Sequence, residues 1–338
     1  MSKVTSLDVA EKAGVSRSAV SRVFTPGASV SKGTAEKVRK AAAALGYRPN
    51  VLARSLNTGR SRIIGLVVAY LENQFYPEAI ERLSKALQAR GYHVLVFMAS
   101  NDNEATQSVI DELLDYQVDG IIAASVGLSN DLTRRCEGLG IPILLFNRHQ
   151  YDNRLTAITS DNIGGGRRLA EFLLAGGQER IAYIAGWEGA STQMDREAGF
   201  LAGLEAAGRK LFARGVGNFN FEQAKEAARR LFGATERPDA IFVANDHMAF
   251  AVMDVLRYEL GLKVPQDVSV VGYDDVALAS WPSYDLTTVR QPANRMVAEA
   301  VEALMARLDG EDIAPRSIVL DGPLMIRGSA RKPEGRTE

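Results

Sequence analysis

Residues 5–24 read TSLDVAEKAGVSRSAVSRVF, and this stretch contains two short helical patterns that meet at Gly14. The first pattern opens with Thr5 three residues before Asp8, which is the spacing of a capping box. Gly14 permits a tight turn, and Ser16 is a good N-cap for a second helix over the rest of the stretch. The sequence therefore predicts two helices joined by a turn.

The second of these helices is predicted to have two chemically different faces. A rotation of about 100° per residue places Arg17, Ser18, Ser21 and Arg22 on one arc and apolar residues on the opposite arc. The apolar face can pack on the first helix, while the other offers guanidinium groups and hydroxyls to the major groove of duplex DNA. We therefore interpret residues 5–24 as a helix-turn-helix. The alternative is a solvated face on an ordinary small helical bundle.

Two further helices are predicted after the helix-turn-helix. One runs from an N-cap at Ser31 to Leu45, with Gly46 in a left-handed C-terminal position. The other has room for two or three turns in residues 50–59, and so short a helix is marginal in water, so we expect it to order when two copies pack on DNA. Its Leu56 is suited to wedging between base steps in a minor groove. The alternative is a linker helix whose leucines rest on the larger domain.

The charge of the chain is unevenly distributed. The first 62 residues contain twelve Lys and Arg but only three Asp and Glu, a formal charge of +9. The whole chain carries −1, so the remainder carries −10. A basic head on an acidic body directs a polyanion to one end of the molecule.

The remainder of the chain, from Arg62, alternates apolar runs of strand length with helical patterns. This alternation predicts parallel sheets with crossover helices. About 275 residues exceed a comfortable single core, so we expect an α/β fold in which two doubly wound parallel-sheet lobes follow an all-α head. The predicted strands are Ile63 to Val68, Val94 to Met98, Gly120 to Ala124, Ile143 to Phe146, Ile181 to Ala185, Ala240 to Val243 and Val268 to Gly272.

We expect four segments in the domain organisation. They are a head over residues 1–47, a hinge helix and linker over 48–61, the bilobed domain over 62–330 with crossings between its lobes near 160, 291 and 322, and a loose tail over 331–338.

Ligands of open parallel sheets lie beyond the carboxyl ends of the strands, and there this sequence places polar and aromatic residues. Carboxylates, amides, an arginine and aromatic rings suit a sugar or a similar polyol. Arg148 and Arg196 could instead favour an acidic or phosphorylated sugar. Alternatively, one of these arginines could neutralise Asp161 or Asp274. For any single residue, the alternative role is to cap the following helix. The candidate effector-binding residues are Phe75, Ser125, Asn147, Arg148, Asp161, Thr192, Arg196, Phe219, Asn245 and Asp274.

Other classes of protein find little support. The single cysteine, Cys136, leaves no Cys-based zinc cluster and no internal disulfide. No nucleophile elbow, P-loop or dinucleotide fingerprint is present, so we expect no enzymatic activity, no metal and no cofactor. A sugar carrier of the periplasm would need a secretory signal, whereas this chain begins with a basic helical head. No apolar run reaches membrane-spanning length, and we expect a cytoplasmic protein.

Landmarks along nearly the whole chain resemble the lactose and galactose repressor family of bacterial transcription regulators. The resemblance implies a homodimeric, sometimes tetrameric, transcription factor, usually a repressor, and a bilobed fold of the periplasmic-binding-protein type. A small metabolite would set its affinity for a pseudo-palindromic operator in double-stranded DNA. A sugar or sugar derivative is the main interpretation, and a nucleobase-responsive regulator or a transport-type sugar-binding protein is the alternative. The landmarks include Thr5 to Phe24, Leu45 to Asn50, Ala53 to Leu56, Ser160 to Asn162, Ala244 to Asp246, Val264 to Asp275 and Leu286 to Pro292.

The resemblance also implies roles for individual residues. Arg17, Ser18 and Arg22 match base-reading positions, whereas Thr5, Ser16, Ser21 and Ser31 match phosphate contacts. Asn50, Ala53 and Leu56 complete the implied DNA interface, with Leu56 as the minor-groove lever. Arg196, Asn245 and Asp274 match effector contacts, as do Phe75, Ser125, Asn147 and Phe219. One departure is Thr25-Pro26-Gly27, which stands where the family usually has Asn-Gly.

Overall fold

The computed structural model describes residues 4–25, 28–48, 60–99, 103–150 and 154–333. The chain divides into two compact units, Met1–Arg62 and Ile63–Glu338. Among the described residues, no helix combines the length and the apolar composition needed to cross a bilayer.

The first unit contains three helices, α1 (Ser6–Ala13), α2 (Arg17–Val23) and α3 (Lys32–Leu45). The predicted end signals are confirmed: the side chains of Thr5, Ser16 and Ser31 cap the three N-termini, and the capping box at α1 is complete. Gly14 and Gly46 end α1 and α3 in the left-handed region, at φ values of 64° and 67°. Local sequence therefore determines where each helix begins and ends.

A small apolar core holds the three helices together. Val9 of α1, Val20 of α2 and Val38 of α3 are fully or almost fully buried in it. Phe24 and Tyr47 pack on this core from the ends of the helices, with their ring centroids 6.0 Å apart. The burial of one face of each helix leaves the opposite face of α2 in solvent.

The second unit is built from two six-stranded sheets, which confirms the predicted α/β fold class. The first sheet has the order β11-β5-β4-β3-β1-β2 and the second β12-β10-β9-β8-β6-β7. All pairs are parallel except β10 with β12. The strands are β1 (Ile63–Val68), β2 (His93–Met98), β3 (Gly120–Ala124), β4 (Ile143–Phe146), β5 (Thr156–Ser160), β6 (Ile181–Ala185), β7 (Ala213–Val216), β8 (Ala240–Val243), β9 (Ser269–Asp274), β10 (Thr287–Arg290), β11 (Ser317–Leu320) and β12 (Leu324–Met325).

Helices connect these strands. They are α4 (Phe75–Ala89), α5 (Asn103–Asp115), α6 (Asn130–Gly138), α7 (Asn162–Ala175), α8 (Ser191–Ala206), α9 (Phe221–Phe232), α10 (Asp246–Asp254), which continues as a π-helical turn (Val255–Glu259), a 3-10 turn (Ala277–Ser280) and α11 (Ala293–Leu308). The chain passes between the two sheets three times: from β5 to α7, from β10 to α11, and from β11 to β12. Each sheet and its helices form one lobe, and the three passages form the connection between lobes.

The glycine run at the start of α7 serves packing between helices. A Cβ on Gly166 would lie 2.2 Å from the carbonyl oxygen of Arg196 in α8, and one on Gly165 would lie 2.5 Å from the hydroxyl of Tyr273. From the other side, a Cβ on Gly199 would lie 2.0 Å from the carbonyl oxygen of Ile163. Helices α7 and α8 therefore approach closely where both lack side chains.

Candidate functional site

The helix α2 presents the predicted DNA-reading face. Arg17, Ser18, Ser21 and Arg22 are all exposed, whereas Val20 on the opposite face is buried. The Nε of Arg17 donates a hydrogen bond to Ser6 Oγ at 3.1 Å, which ties this guanidinium to α1. The side chains reach outward together because the two faces of α2 separate polar from apolar positions.

Three of the four candidate phosphate contacts, Thr5, Ser16 and Ser31, lie at helix N-termini, whereas Ser21 lies within α2. Ser16 Oγ accepts a hydrogen bond from the backbone N–H of Ala19, and Ser31 Oγ accepts one from that of Thr34. Thr5 shares its capping box with Asp8. The uncapped N–H groups and the helix dipole at such positions favour an anion such as a phosphate. Asn50, Ala53 and Leu56 lie outside the described residues, and their roles stay predictions.

A second candidate site lies between the lobes, at the carboxyl ends of the strands. Ser125 follows β3, Asn147 follows β4, Phe219 lies beyond β7, and Asp274 ends β9. All four have positive φ values, of 60°, 69°, 57° and 127°. Left-handed backbone at a non-glycine residue costs about 1–3 kcal/mol and is concentrated at ligand sites. The positive φ values therefore occur at strand ends that the sequence also identified as candidate ligand-binding positions.

The centre of this cleft is the carboxylate of Asp274. Its Oδ1 accepts hydrogen bonds from Arg196 at 3.2 Å and from Gln291 Nε2 at 2.7 Å. Its Oδ2 accepts one from Asn73 Nδ2 at 2.8 Å. Burial raises the pKa of Asp274, while Arg196 acts in the opposite direction. Asn73 belongs to the first lobe, so this carboxylate joins both lobes.

The guanidinium of Arg196 is fully engaged. Besides Asp274, it donates to Asn162 Oδ1 at 2.9 Å and to the carbonyl oxygen of Ala244 at 2.6 Å. It also lies 3.7 Å above the ring of Tyr273. The side chains of Arg196 and Asp274 are only 2% and 1% exposed, so each buried charge is compensated mainly by the other.

A second carboxylate, Asp246, lies beneath this pair. It accepts hydrogen bonds from Thr288 Oγ1 at 2.6 Å and from the backbone N–H of Val276 at 3.0 Å. Burial, together with the nearby charge of Asp274, raises the pKa of Asp246 to about 8. The raised pKa favours the protonated form of Asp246, which reduces the negative charge of the cleft.

Aromatic rings form one wall of the cleft. Tyr70 packs edge-on against Tyr76 with centroids 5.0 Å apart and stacks on Phe219 at 6.4 Å. The guanidinium of Arg148 lies 5.4 Å from the ring of Trp187. Ring faces of this kind pack on the C–H face of a sugar or on a flat heterocycle.

Among the buried side-chain amides of the cleft, two atoms lack hydrogen-bond partners within the described part of the chain. They are the acceptor Asn147 Oδ1 and the donor Asn245 Nδ2. Asn147 uses its Nδ2 on the hydroxyl of Tyr76, and Asn245 uses its Oδ1 to cap α10 at the N–H of Met248. Buried polar groups are normally satisfied, so this acceptor and this donor are suited to a hydroxylated ligand.

Further hydrogen bonds join the two lobes beside the cleft. The Nε2 of His149, after β4, lies 2.9 Å from Asp195 Oδ2 of α8, and the backbone N–H of His149 donates to Ser191 Oγ. Asp195 raises the pKa of His149 through this hydrogen bond. With Asn73 and Asp274, these contacts connect the first lobe to the second.

Other candidates occupy varied positions. Asp161 Oδ1 accepts a hydrogen bond from the N–H of Gly164 at 2.9 Å, which is the helix-capping alternative considered from the sequence. Thr192 is buried in the first turn of α8, and Phe75 stacks on Phe146 at 6.4 Å. Sequence reasoning did not single out Asn162, Gln291 and Tyr273 as site residues. Asn162 and Tyr273 are sequence neighbours of the candidates Asp161 and Asp274, which was the available signal, whereas Gln291 follows β10 with no candidate beside it.

Two family models match the chain. Residues 5–50 match the model described as bacterial regulatory proteins, lacI family, and residues 170–330 match a periplasmic binding protein-like domain. The chain is 31% identical over 328 residues to the HTH-type transcriptional repressor PurR of Vibrio vulnificus, covering 96% of this chain and 98% of the relative. It is also 31% identical to the ribose operon repressor of Escherichia coli over 331 residues, covering 96% and 99%.

The chain is also similar to solved structures of transcriptional regulators. The lac repressor dimer bound to operator and the anti-inducer ONPF superposes with a TM-score of 0.87 at 29% identity, covering 97% of this chain and 99% of that one. The complex of the transcriptional regulator CelR with cellobiose gives 0.73 at 31% identity, covering 97% and 100%. Similarity thus extends over both units of the chain.

Proposed function

The chain belongs to the lacI family of bacterial regulatory proteins, and on this basis we propose that a sugar bound between its lobes controls its affinity for operator DNA. Members of this family are DNA-binding repressors regulated by small-molecule effectors, and the transcriptional function of this chain follows from membership. We place the protein in the cytoplasm, where its operator lies.

The observation that carries the proposal is the pairing of Arg196 with Asp274 beside two unsatisfied amide atoms. Because Arg196 is neutralised by Asp274, it does not require an acidic or phosphorylated ligand. The free acceptor of Asn147 and the free donor of Asn245 match hydroxyl groups, which both donate and accept. Tyr70 and Phe219 supply ring faces. These groups fit a neutral sugar, which is the class of effector that we propose.

An exposed apolar surface supports a homodimer. Strand β2 is at the edge of the first sheet, and its Val96 and Met98, on one face of the strand, are about half exposed. In the second lobe Trp281 and Tyr258 are exposed as well. Apolar edge strands and exposed aromatic residues are normally covered by a partner. Two copies would present two α2 helices to the half-sites of a palindromic operator.

Linkage connects the two sites in this proposal. A ligand that touches both lobes stabilises the closed arrangement, because Asn73 and Asp274 contribute to it from opposite sides. Lobe closure changes the separation of the two heads in the dimer and thus the affinity for operator.

Asn245→Ala tests the effector site. Removal of Asn245 Nδ2 should lower sugar affinity by about tenfold, since a hydrogen bond to a neutral partner contributes about 0.5–1.5 kcal/mol. Sugars would be screened by thermal shift on the purified protein, because a ligand of the native state raises the melting temperature. Asn220→Ala is the matched control, since Asn220 also caps a helix through its Oδ1. Equal responses of both variants would contradict the site.

Arg22→Ala tests the DNA-reading face. Loss of a bidentate contact to a base should cost about 1–3 kcal/mol of discrimination between operator and unrelated DNA. Arg230→Ala, an exposed arginine of the body, is the control. Gel-shift titrations with operator and scrambled duplexes would measure both. A uniform loss on all sequences would assign Arg22 to phosphate contact instead.

A further inference from the structure

We propose that the chain has a second ligand site, for a small phosphorylated metabolite, in a cavity beside the effector cleft. The cavity has a volume of about 570 Å³, which is within the range of small-molecule sites. It lies between α4 and α11 of the first lobe and the segment after β9 of the second. Phe75, Asp274 and Gln291 line it, and the last two also belong to the cleft around Arg196, so the cavity and the cleft adjoin.

The charge of this cavity favours an anion. Four guanidinium groups line it, those of Arg82, Arg290, Arg295 and Arg327. Asp274 is committed to Arg196, so the carboxylates that offset them are Glu78 and Asp275. The local balance is therefore positive by two charges. Guanidinium groups bind phosphate through paired, charge-assisted hydrogen bonds.

The ion pairs within the cavity leave donors available. Asp275 is 4% exposed and accepts from both Arg290 Nε and Arg327, so a single carboxylate is shared between two cations. Arg82 is engaged by Glu78 and by Asn294, so the available donors are those of the other arginines. Arg295 makes a contact of 3.4 Å to the carbonyl oxygen of Asp321, which is at the weak limit of a hydrogen bond. Arg290 and Arg295 are exposed and can turn toward a ligand.

The first turn of α11 adds a second kind of anion donor. This 16-residue helix begins after Pro292 without a side-chain cap, and Asn294 and Arg295 of its first turn line the cavity. Uncapped N–H groups at a helix N-terminus attract phosphate oxygens. The helix therefore directs its positive end to the same space as the four arginines.

The cavity also has a route to regulation. Its walls come from both lobes, so a bound anion would hold them together. Asp275 adjoins Asp274 in sequence, and both have positive φ values, of 57° and 127°. A ligand on Arg290 and Arg327 thus acts on the residue next to the effector-binding carboxylate. This arrangement makes the anion a co-effector. The anion binds more tightly when sugar is bound, and sugar binds more tightly when the anion is bound.

Calorimetric titration of the full-length protein tests the inference with two probes, inorganic phosphate and glycerol 3-phosphate, against glycerol as the uncharged counterpart. Wild-type protein should bind both phosphates and not glycerol. Arg290→Gln and Arg295→Gln should each weaken phosphate binding by about tenfold or more, as expected for a lost charge-assisted contact. Arg230→Gln, an exposed arginine outside the cavity, should bind as the wild type does.

Three results would overturn the inference. They are the absence of phosphate binding by the wild type, equal affinities in all four proteins, and loss of phosphate binding in Asn245→Ala, which would place the anion in the effector cleft. Circular dichroism of each variant confirms folding, and the milder Arg295→Gln keeps the test decisive if Arg290→Gln is unstable. Because phosphate binding is measured without DNA or sugar, its failure is distinguishable from failure of the proposed function.

Discussion

At the scale of single residues, the buried pair of Arg196 and Asp274, which we propose to bind the effector, should also stabilise the fold. Arg196→Ala leaves Asp274 charged and without its partner, and breaking a buried pair in this way costs about 3–5 kcal/mol. Urea unfolding should show this loss. The control is Arg134→Ala, which removes an exposed ion pair with Asp131 and should change the free energy of unfolding by less than about 1 kcal/mol. Similar losses of unfolding free energy in both variants would show that the buried pair contributes no more to stability than an exposed ion pair.

Asp246 gives a prediction on pH. Its pKa of about 8 in the folded protein exceeds the ordinary value of 3.8, so folding retains a proton that the unfolded chain releases. Wild-type stability should therefore fall relative to Asp246→Asn as pH rises above about 4, and the difference should level off once the pH exceeds the raised pKa. Unfolding curves at several pH values would measure it, with Asp312→Asn, an exposed carboxylate, as control. A pH-independent difference would contradict the raised pKa.

At the scale of elements, the contact between α7 and α8 reverses the usual effect of a substitution. Gly→Ala within a helix normally gains about 0.5–1 kcal/mol, but a Cβ on Gly199 would overlap the carbonyl oxygen of Ile163. We expect Gly199→Ala to lower the melting temperature by several degrees. Gly138→Ala, in α6, has no atom within 4 Å of the new Cβ and should be neutral or stabilising. Calorimetric melting of both variants decides between packing and propensity.

Elements also show how far the sequence predicts this fold. The seven predicted strands are present with shifts of one or two residues at some ends, because they are continuous apolar runs. Five further strands were missed, and their composition explains it. Strand β5 contains Thr156, Thr159 and Ser160, all buried, and β7 contains Arg214 and Gly215 at a sheet edge. Pairing with neighbouring strands keeps these segments extended, although their own β-strand propensity is low.

The candidate site, like the fold, was predicted only in part from the sequence. Strand ends identified Arg196, Asn245 and Asp274 as candidates, and the structure brings them into one cleft. The sequence left open whether Arg196 would meet a ligand anion or an aspartate of the chain, and the fold pairs it with Asp274. That choice depends on distances between residues far apart in sequence, which periodicity does not encode.

At the scale of the whole molecule, the link between His149 and Asp195 makes lobe closure depend on pH. Asp195 raises the pKa of His149, so this contribution is fully present below about 6.5 and is lost as pH rises through the raised value. We expect the wild type to be more stable than His149→Gln at pH 5.5, with the difference absent near pH 9.

Unfolding experiments and small-angle scattering at the two pH values would follow stability and lobe closure. His93→Gln, an exposed histidine in β2, is the control. A stability difference between wild type and His149→Gln that persists unchanged at high pH would show that the imidazole acts through packing alone.

The three passages of the chain between the sheets have a mechanical consequence. With three short connectors side by side, the lobes are limited to a swing about one axis, and shear or twist would strain at least one connector. Ligands of different shape can then alter how far the swing proceeds but not its direction. Agonists and antagonists of this protein should accordingly differ in degree along a single coordinate.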